Sequence, residues 1–248
     1  MKPPLFISIQ GSYNQLELAL YQNTNCLQII NEKNIKASSF LIPLIDKILK
    51  SKLFNLNNLD FICIDQGPGA FTSLRVTITT VNGISFASKI PLIGINGLYA
   101  LSEETLIKIK NSYANFAPQI LITLLNAYNE DVYFLINKLS DSLNIQETIC
   151  SKKTYQKIDT LLKELKSNFL NKKIAFVGNG AILYQNLIEN EFKKNAIIIN
   201  QDVCSAKQIS KIALHKWSQS TNKKENFKYK LSPLYLKSQT FAIRPIKN

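Results

Sequence analysis

The predicted elements of this chain come in one order, and that order occurs twice. Hydrophobic alternation marks strands at residues 5–10, 15–21 and 26–31, joined by polar turns holding Gly11, Ser12, Asn14, Asn23 and Asn25. A helix follows, capped by Ser38 or Ser39, with Leu41, Leu44, Ile45, Ile48 and Leu49 at helical spacing and Pro43 in its first turn. Then come a buried strand (60–65), the turn Gln66-Gly67-Pro68-Gly69, a helix (71–88), a strand (91–95) and a helix from Leu98. The second half predicts strands at 120–127, 131–137 and 143–150 and a helix at 155–170. It continues with a strand (173–177), Gly178-Asn179-Gly180, a helix (181–190), a strand (196–200) and a helix (205–220). Two copies of βββαβαβα imply a duplicated α/β fold.

This is the order of the actin-like, ribonuclease-H-like architecture, with two mixed sheets and helices packed against them. It divides the chain into an N-terminal subdomain, 1–105, with the expected partner-binding helices, a C-terminal subdomain, 106–220, and a basic tail, 221–248, that can pack back on the N-terminal subdomain. The 46% hydrophobic content supports a foldable core. No stretch reaches the roughly 18 apolar residues of a membrane span, and the run 5–9 is too short for a secretory signal, so the expected location is cytoplasmic. Cys26, Cys63, Cys150 and Cys204 form no C-x-x-C pair, and His215 is the one histidine, so no zinc or disulfide spacing exists. Cys63 reads as a small buried hydrophobe and His215 as a surface or packing residue.

Nucleotide-binding members of this architecture carry an acidic residue beside a glycine at the first strand turn of each half. Here those turns are Gln10-Gly11-Ser12 and Asn126-Ala127-Tyr128. An amide accepts a hydrogen bond but brings no charge to a hard divalent cation, which argues against a magnesium-ATP site. Two-metal cleavage needs several converging carboxylates, and Asp65 stands alone as a suitable one. The turn Gly67-Pro68-Gly69 lacks the lysine of a phosphate-binding loop and reads as a structural turn.

The helix at 71–88 is the most informative segment. Between Asp65 and Lys89 the one charged side chain is Arg75, where a helix on one sheet should carry a charged outer face. Thr77, Thr80, Gly83, Ser85 and Ser88 offer a small neutral face. The expectation is burial against a partner chain, the alternative being burial under this chain's own second half.

Charge is concentrated at the other end. Residues 205–248 hold 10 basic side chains against 1 acidic, out of 30 and 17 in the whole chain. Lys223, Lys224, Lys228, Lys230 and Lys237, interleaved with Phe227, Tyr229 and Tyr235, have the composition of an RNA contact. A merely solvated basic tail is the competing reading.

The run Gly67-Pro68-Gly69-Ala70-Phe71-Thr72-Ser73-Leu74-Arg75, with Gly83, Ala87, Ile90-Pro91-Leu92 and Gly94 after it, resembles the signature of the bacterial TsaB (YeaZ) family. Leu41-Ile42-Pro43-Leu44-Ile45, Asp131-Val132-Tyr133, Val177-Gly178-Asn179-Gly180-Ala181 and Pro233-Leu234-Tyr235-Leu236 extend the likeness over nearly the whole chain. The resemblance implies a scaffold subunit without catalytic residues of its own. In that family it supports a TsaD-like transferase that makes N6-threonylcarbamoyladenosine beside the anticodon of tRNA.

A TsaE-like ATPase joins that complex, tRNA is met directly or through it, and the free subunit can form a homodimer. No intrinsic cofactor is implied; ATP and metal belong to the partners. The implied interface is two-helical: Leu41, Leu44, Ile45, Ile48, Phe71, Thr72, Leu74, Arg75, Ile78, Asn82 and Ser85. A charge at Leu74 or Ile78 is therefore expected to block partner binding and spare the fold. The sequence departs from the family at Gln10 and Asn126 (usually Asp), Ala37 (commonly His) and Ser73 (usually Gly). The alternatives are an actin-like ATPase or sugar kinase, a glycoprotease-like enzyme, and an RNA-binding module acting through the tail.

Overall fold

The computed structural model describes residues 2–13, 15–149, 155–220 and 227–237. Strands β1 (Leu5–Tyr13), β2 (Gln15–Gln22) and β3 (Asn25–Lys33) form an antiparallel meander. Helix α1 (Ala37–Lys50), strand β4 (Phe61–Asp65), helix α2 (Phe71–Ser88), strand β5 (Leu92–Ile95) and helix α3 (Gly97–Ser112) complete the first series. β4 lies parallel to β1 and β5 to β4, giving the order β3-β2-β1-β4-β5.

The second series repeats it. β6 (Ile120–Asn126), β7 (Asp131–Leu139) and β8 (Ile145–Ile149) are antiparallel, while β10 (Ile174–Val177) runs parallel to β6 and β11 (Ala196–Ile199) to β10. The actin-like duplication read from the order of elements is thus present as two mixed sheets. Helices α4 (Ile158–Asn168), α5 (Asn179–Leu183), α6 (Gln185–Phe192) and α7 (Ala206–Gln219) accompany the second sheet in sequence.

Three local expectations need correction. Residues 155–157 form a short strand, β9 (Tyr155–Lys157), paired to β7, because Tyr155 packs against Tyr133 before the helical spacing of Ile158, Leu161, Leu162 and Leu165 begins. The helix expected at 181–190 is two helices meeting at Tyr184. Helix α1 begins at Ala37 behind Lys36 with no side-chain cap, so Ser38 and Ser39 lie in its first turn and Pro43 in its interior.

The molecule is layered. α1 and α2 pack on the outer face of the first sheet, burying Ile7, Ile9, Leu18 and Leu20 with Leu41, Ile45, Leu74 and Ile78. α4 and α6 bury Ile122, Phe134 and Phe176 on the outer face of the second sheet. Between the sheets lie α3 and α7, and they are crossed: α3 packs on β6 and β7 of the second sheet, α7 on β1, β2 and β4 of the first. Among the described residues no helix is long and apolar enough to cross a membrane.

Candidate partner-docking face

The turn that launches α2 is fixed by close backbone approach. Gly67 has φ near +100°, and a side chain at Gly69 would meet the Ser12 carbonyl at 2.7 Å, so only glycine fits both positions. The Ala70 amide donates to Ser12 O (2.8 Å) and the Gly97 amide to Gly67 O (2.8 Å), seating the turn on the ends of β1 and β5. The Gly67-Pro68 peptide is cis.

From that turn, α2 presents two arcs. Leu74, Thr77, Ile78, Val81 and Ser85 face the sheet and are buried; the Ser85 hydroxyl donates to Ile90 O (2.6 Å) and the Thr77 hydroxyl to Ser73 O (2.8 Å). Thr72, Arg75, Thr79, Gly83 and Phe86 recur at three- and four-residue spacing on the exposed arc. Phe86 is 76% exposed, and nothing lies within 4 Å of a side chain placed at Gly83. Beside it, α1 exposes Phe40, Ile42 (62% exposed) and Pro43. Among the described residues, the second half of the chain does not cover this face.

Several predicted interface residues therefore point the wrong way. Leu41, Leu44, Ile45 and Ile48 of α1, with Leu74, Ile78 and Ser85 of α2, are buried in the protein's own core, since a helix on a sheet must first satisfy the sheet. A charge at Leu74 or Ile78 would attack the fold. Thr77 and Ser85 leave the small neutral face for the same reason. Thr72 and Arg75 do face outward, and Phe71 is half-buried under the Arg75 guanidinium (4.8 Å from the ring centroid).

Asn82 is spent on the chain itself. Its amide nitrogen donates to Leu231 O (2.9 Å) and its carbonyl oxygen accepts from Leu231 N (2.8 Å). That pair is the central anchor of a strap, residues 227–237, which crosses the outer surface antiparallel to α2. At one end Phe227 stacks on Trp217 (centroids 5.0 Å apart) and the Leu92 amide of β5 donates to Lys228 O (2.7 Å). Further on, the Gln66 side chain donates to Ser232 O (2.6 Å), the Leu234 amide donates to Gln66 O (2.9 Å), and Tyr235 lies 5.5 Å from Phe71. Gln66 was not singled out from sequence; a glutamine beside a glycine turn carries no pattern.

The strap ends on the second half. The Lys237 ammonium pairs with Asp131 (2.6 Å) and donates to Ala127 O (3.1 Å), so this lysine, expected at an RNA surface, is occupied within the protein. Lys228 and Lys230 are exposed. Lys223 and Lys224 lie outside the described residues.

The cleft between the halves has a volume of about 360 Å³ and is lined by Tyr13, Gln15, Asn34, Asn126, Asn179 and Asp202 among others. Gln10 of β1 is fully buried; its amide donates to Ser12 Oγ (2.8 Å) and Asp65 Oδ2 (3.2 Å). Asp65 Oδ1 accepts from the Gly67 amide (2.8 Å), and burial pushes its carboxyl up to about 6. Across the cleft, the Asn126 side chain accepts from Tyr128 N (2.9 Å), and the Asn126 main-chain carbonyl accepts from Tyr13 OH (2.8 Å). Gln10 and Asn126 thus both make hydrogen bonds inside the chain, while the buried Gln10 Oε1 has no partner among the described residues. Among the described residues no group of three His, Cys, Asp or Glu side chains is arranged to hold a metal ion. His215 is exposed on α7, and Cys63 is buried with its thiol raised to about 12 by desolvation.

The model of the family described as TsaD, tRNA N6-adenosine threonylcarbamoyltransferase, matches residues 34–243. The chain is 26% identical to the tRNA threonylcarbamoyladenosine biosynthesis protein TsaB of Buchnera aphidicola subsp. Schizaphis graminum (strain Sg), over 77% of this chain and 86% of that protein. It is 24% identical to the TsaB of Buchnera aphidicola subsp. Baizongia pistaciae (strain Bp), over 93% and 96%. A solved structure from Pseudomonas aeruginosa, described as an uncharacterized protein with similarity to peptidase YeaZ, shares the fold. Its TM-score is 0.70 at 18% identity, covering 96% of this chain and 100% of that one.

Proposed function

Since the chain belongs to the family described as TsaD, tRNA N6-adenosine threonylcarbamoyltransferase, as one of its TsaB (YeaZ) members, we propose that it acts in tRNA threonylcarbamoyladenosine biosynthesis as a supporting subunit and leaves the chemistry to a TsaD-like partner. The observation that carries this reading is the exposed arc of α2. Thr72, Thr79 and Gly83 leave room for a second helix to approach closely, Phe40 and Ile42 of the adjacent α1 provide apolar anchors, and Arg75 and Phe86 lie toward the strap side. Water alone would favour more charge there.

The cleft supports the same division of labour. Gln10 and Asn126 give no anionic ligand to a magnesium ion, and Asp65 is buried with its oxygens engaged by Gln10 and Gly67. ATP and metal are assigned to the partners, a TsaE-like ATPase joins the assembly, and the complex works in the cytoplasm. The same face can serve a second copy of the chain before the catalytic partner arrives.

The test is co-purification with the cognate TsaD-like protein. Thr79→Glu, on the exposed arc, is expected to fold as wild type by circular dichroism and to lose the complex at least tenfold. Unchanged binding by both Thr79→Glu and Gly83→Glu would place the interface elsewhere. A calorimetric titration with magnesium-ATP tests the other half: micromolar binding by the isolated chain would revive the ATPase or kinase reading.

A further inference from the structure

We infer that the seam between α2 and the strap is a track for an unpaired RNA strand; its physical argument concerns a polyanion with exposed bases, and the RNA identity rests on the function proposed above. The track is distinct from the helix-docking arc. At about 100° per residue, Arg75 and Phe86 lie within about 40° of Asn82, the residue bonded to the strap, whereas Thr72 and Gly83 turn further away. The strap side of α2 thus carries the cation and the exposed ring, and the remainder of the arc is small and neutral.

Side chains of the strap complete the pattern. Lys228, Tyr229 and Lys230 are exposed at the end of the seam where Lys89 stands with its ammonium 4.8 Å from the Phe86 ring centroid. At the other end Tyr235, half exposed, sits against Phe71 under Arg75. Cations and aromatic rings therefore alternate along the roughly 27 Å of α2. No aspartate or glutamate occurs in residues 66–102 or 227–248, so neither partner of the seam brings a carboxylate to oppose phosphate.

These groups are also held in place. The backbone on either side of Tyr229 is fixed, by Leu92 to Lys228 and by Asn82 to Leu231, so the two lysines are displayed at a set spacing rather than on a free tail. Preorganised cations meet phosphates, and rings between them stack on bases that are not paired.

The experiment uses the full chain and a fluorescein-labelled anticodon stem-loop RNA, with anisotropy read across a potassium chloride series. K228A/K230A is expected to weaken binding about tenfold or more and to reduce the salt slope by about 1.4, the share of two single-strand phosphate contacts. Tyr229→Ala should cost roughly 5- to 100-fold and leave the slope unchanged. The control K163A/K172A removes two exposed lysines from the second half and should change nothing.

Equal losses in both double variants, or none in K228A/K230A, would overturn the track. So would a K228A/K230A protein that keeps RNA but loses the TsaD-like partner, since the seam would then be a protein interface. Reconstituted threonylcarbamoylation with the wild-type chain is measured in parallel. Its failure with RNA binding intact would count against the proposed function and not against the track.

Discussion

α2 and α4 each lie on the outer face of a sheet, although in the repeated order α4 stands where α1 does, and they meet different surroundings. α4 turns Lys163, Glu164 and Lys166 outward, pairs Lys166 with Glu191 of α6 (2.9 Å), and buries Leu161, Leu162 and Leu165. That is the division expected of a helix between core and water. α2 has an equally buried inner arc but shows threonine, glycine, phenylalanine and one arginine outside. The fold alone asks only for the inner arc, so the difference between the outer arcs reports what each helix faces beyond its own chain.

The comparison breaks most visibly at the inner arcs, where the two helices should behave alike. Ile78→Glu and Leu165→Glu each bury an unpaired carboxylate and are expected to cost more than about 4 kcal/mol, giving insoluble protein or loss of the cooperative melt. A folded Ile78→Glu protein would mean that the inner arc of α2 is more open than its burial implies.

The next effect lies at the ends of the corresponding strands β4 and β10, which lead into α2 and α5, where Asp65 of one matches Val177 of the other. Burial raises the Asp65 carboxyl from its ordinary value near 3.8 to about 6, so the folded state holds its proton where the unfolded chain releases it. Stability should fall as pH rises through the window from about 4 to about 6, by as much as about 3 kcal/mol. Asp65→Asn should flatten that dependence in urea titrations at pH 4.5 and 7.5. An unchanged slope in the variant would exclude Asp65 as its source.

Smaller effects sharpen the contrast on the outer arcs. Asn82→Ala removes both bonds to Leu231 and is expected to cost about 1–2 kcal/mol, with faster proteolysis of the strap and no counterpart on α4. Lys166→Ala breaks an exposed ion pair and should shift stability by less than about 0.5 kcal/mol. A larger loss there would show that the charged face of α4 is structural rather than solvating.

Much of this was legible in the sequence, and the exceptions have physical causes. The order of strands and helices follows from alternation and turn residues, and the bounds of α2 and its lack of charge could be read directly. Which side of α2 faces the sheet could not, because apolar residues occur all round it and Leu74 and Ile78 look no different from Val76 until packing selects among them. The strap was less visible still. Its path is set by Asn82 and Gln66 holding backbone groups more than 140 residues away in sequence, contacts that no local periodicity encodes. Lys237 shows the same limit: its composition suggested a free cation, and Asp131 claims it.

The crossed helices between the sheets have a consequence for synthesis on the ribosome. The first sheet has all five of its strands once residue 95 has emerged, but the helix that covers its inner face, α7, lies at residues 206–219. At about 5–20 residues per second, Phe6, Tyr21, Phe61 and Ile93 stay uncovered for roughly 5–20 s while the rest of the chain is translated. The first half is thus the earliest to be made and among the last to be finished, and a nascent chain stalled in that interval is the form most exposed to chaperones and to aggregation.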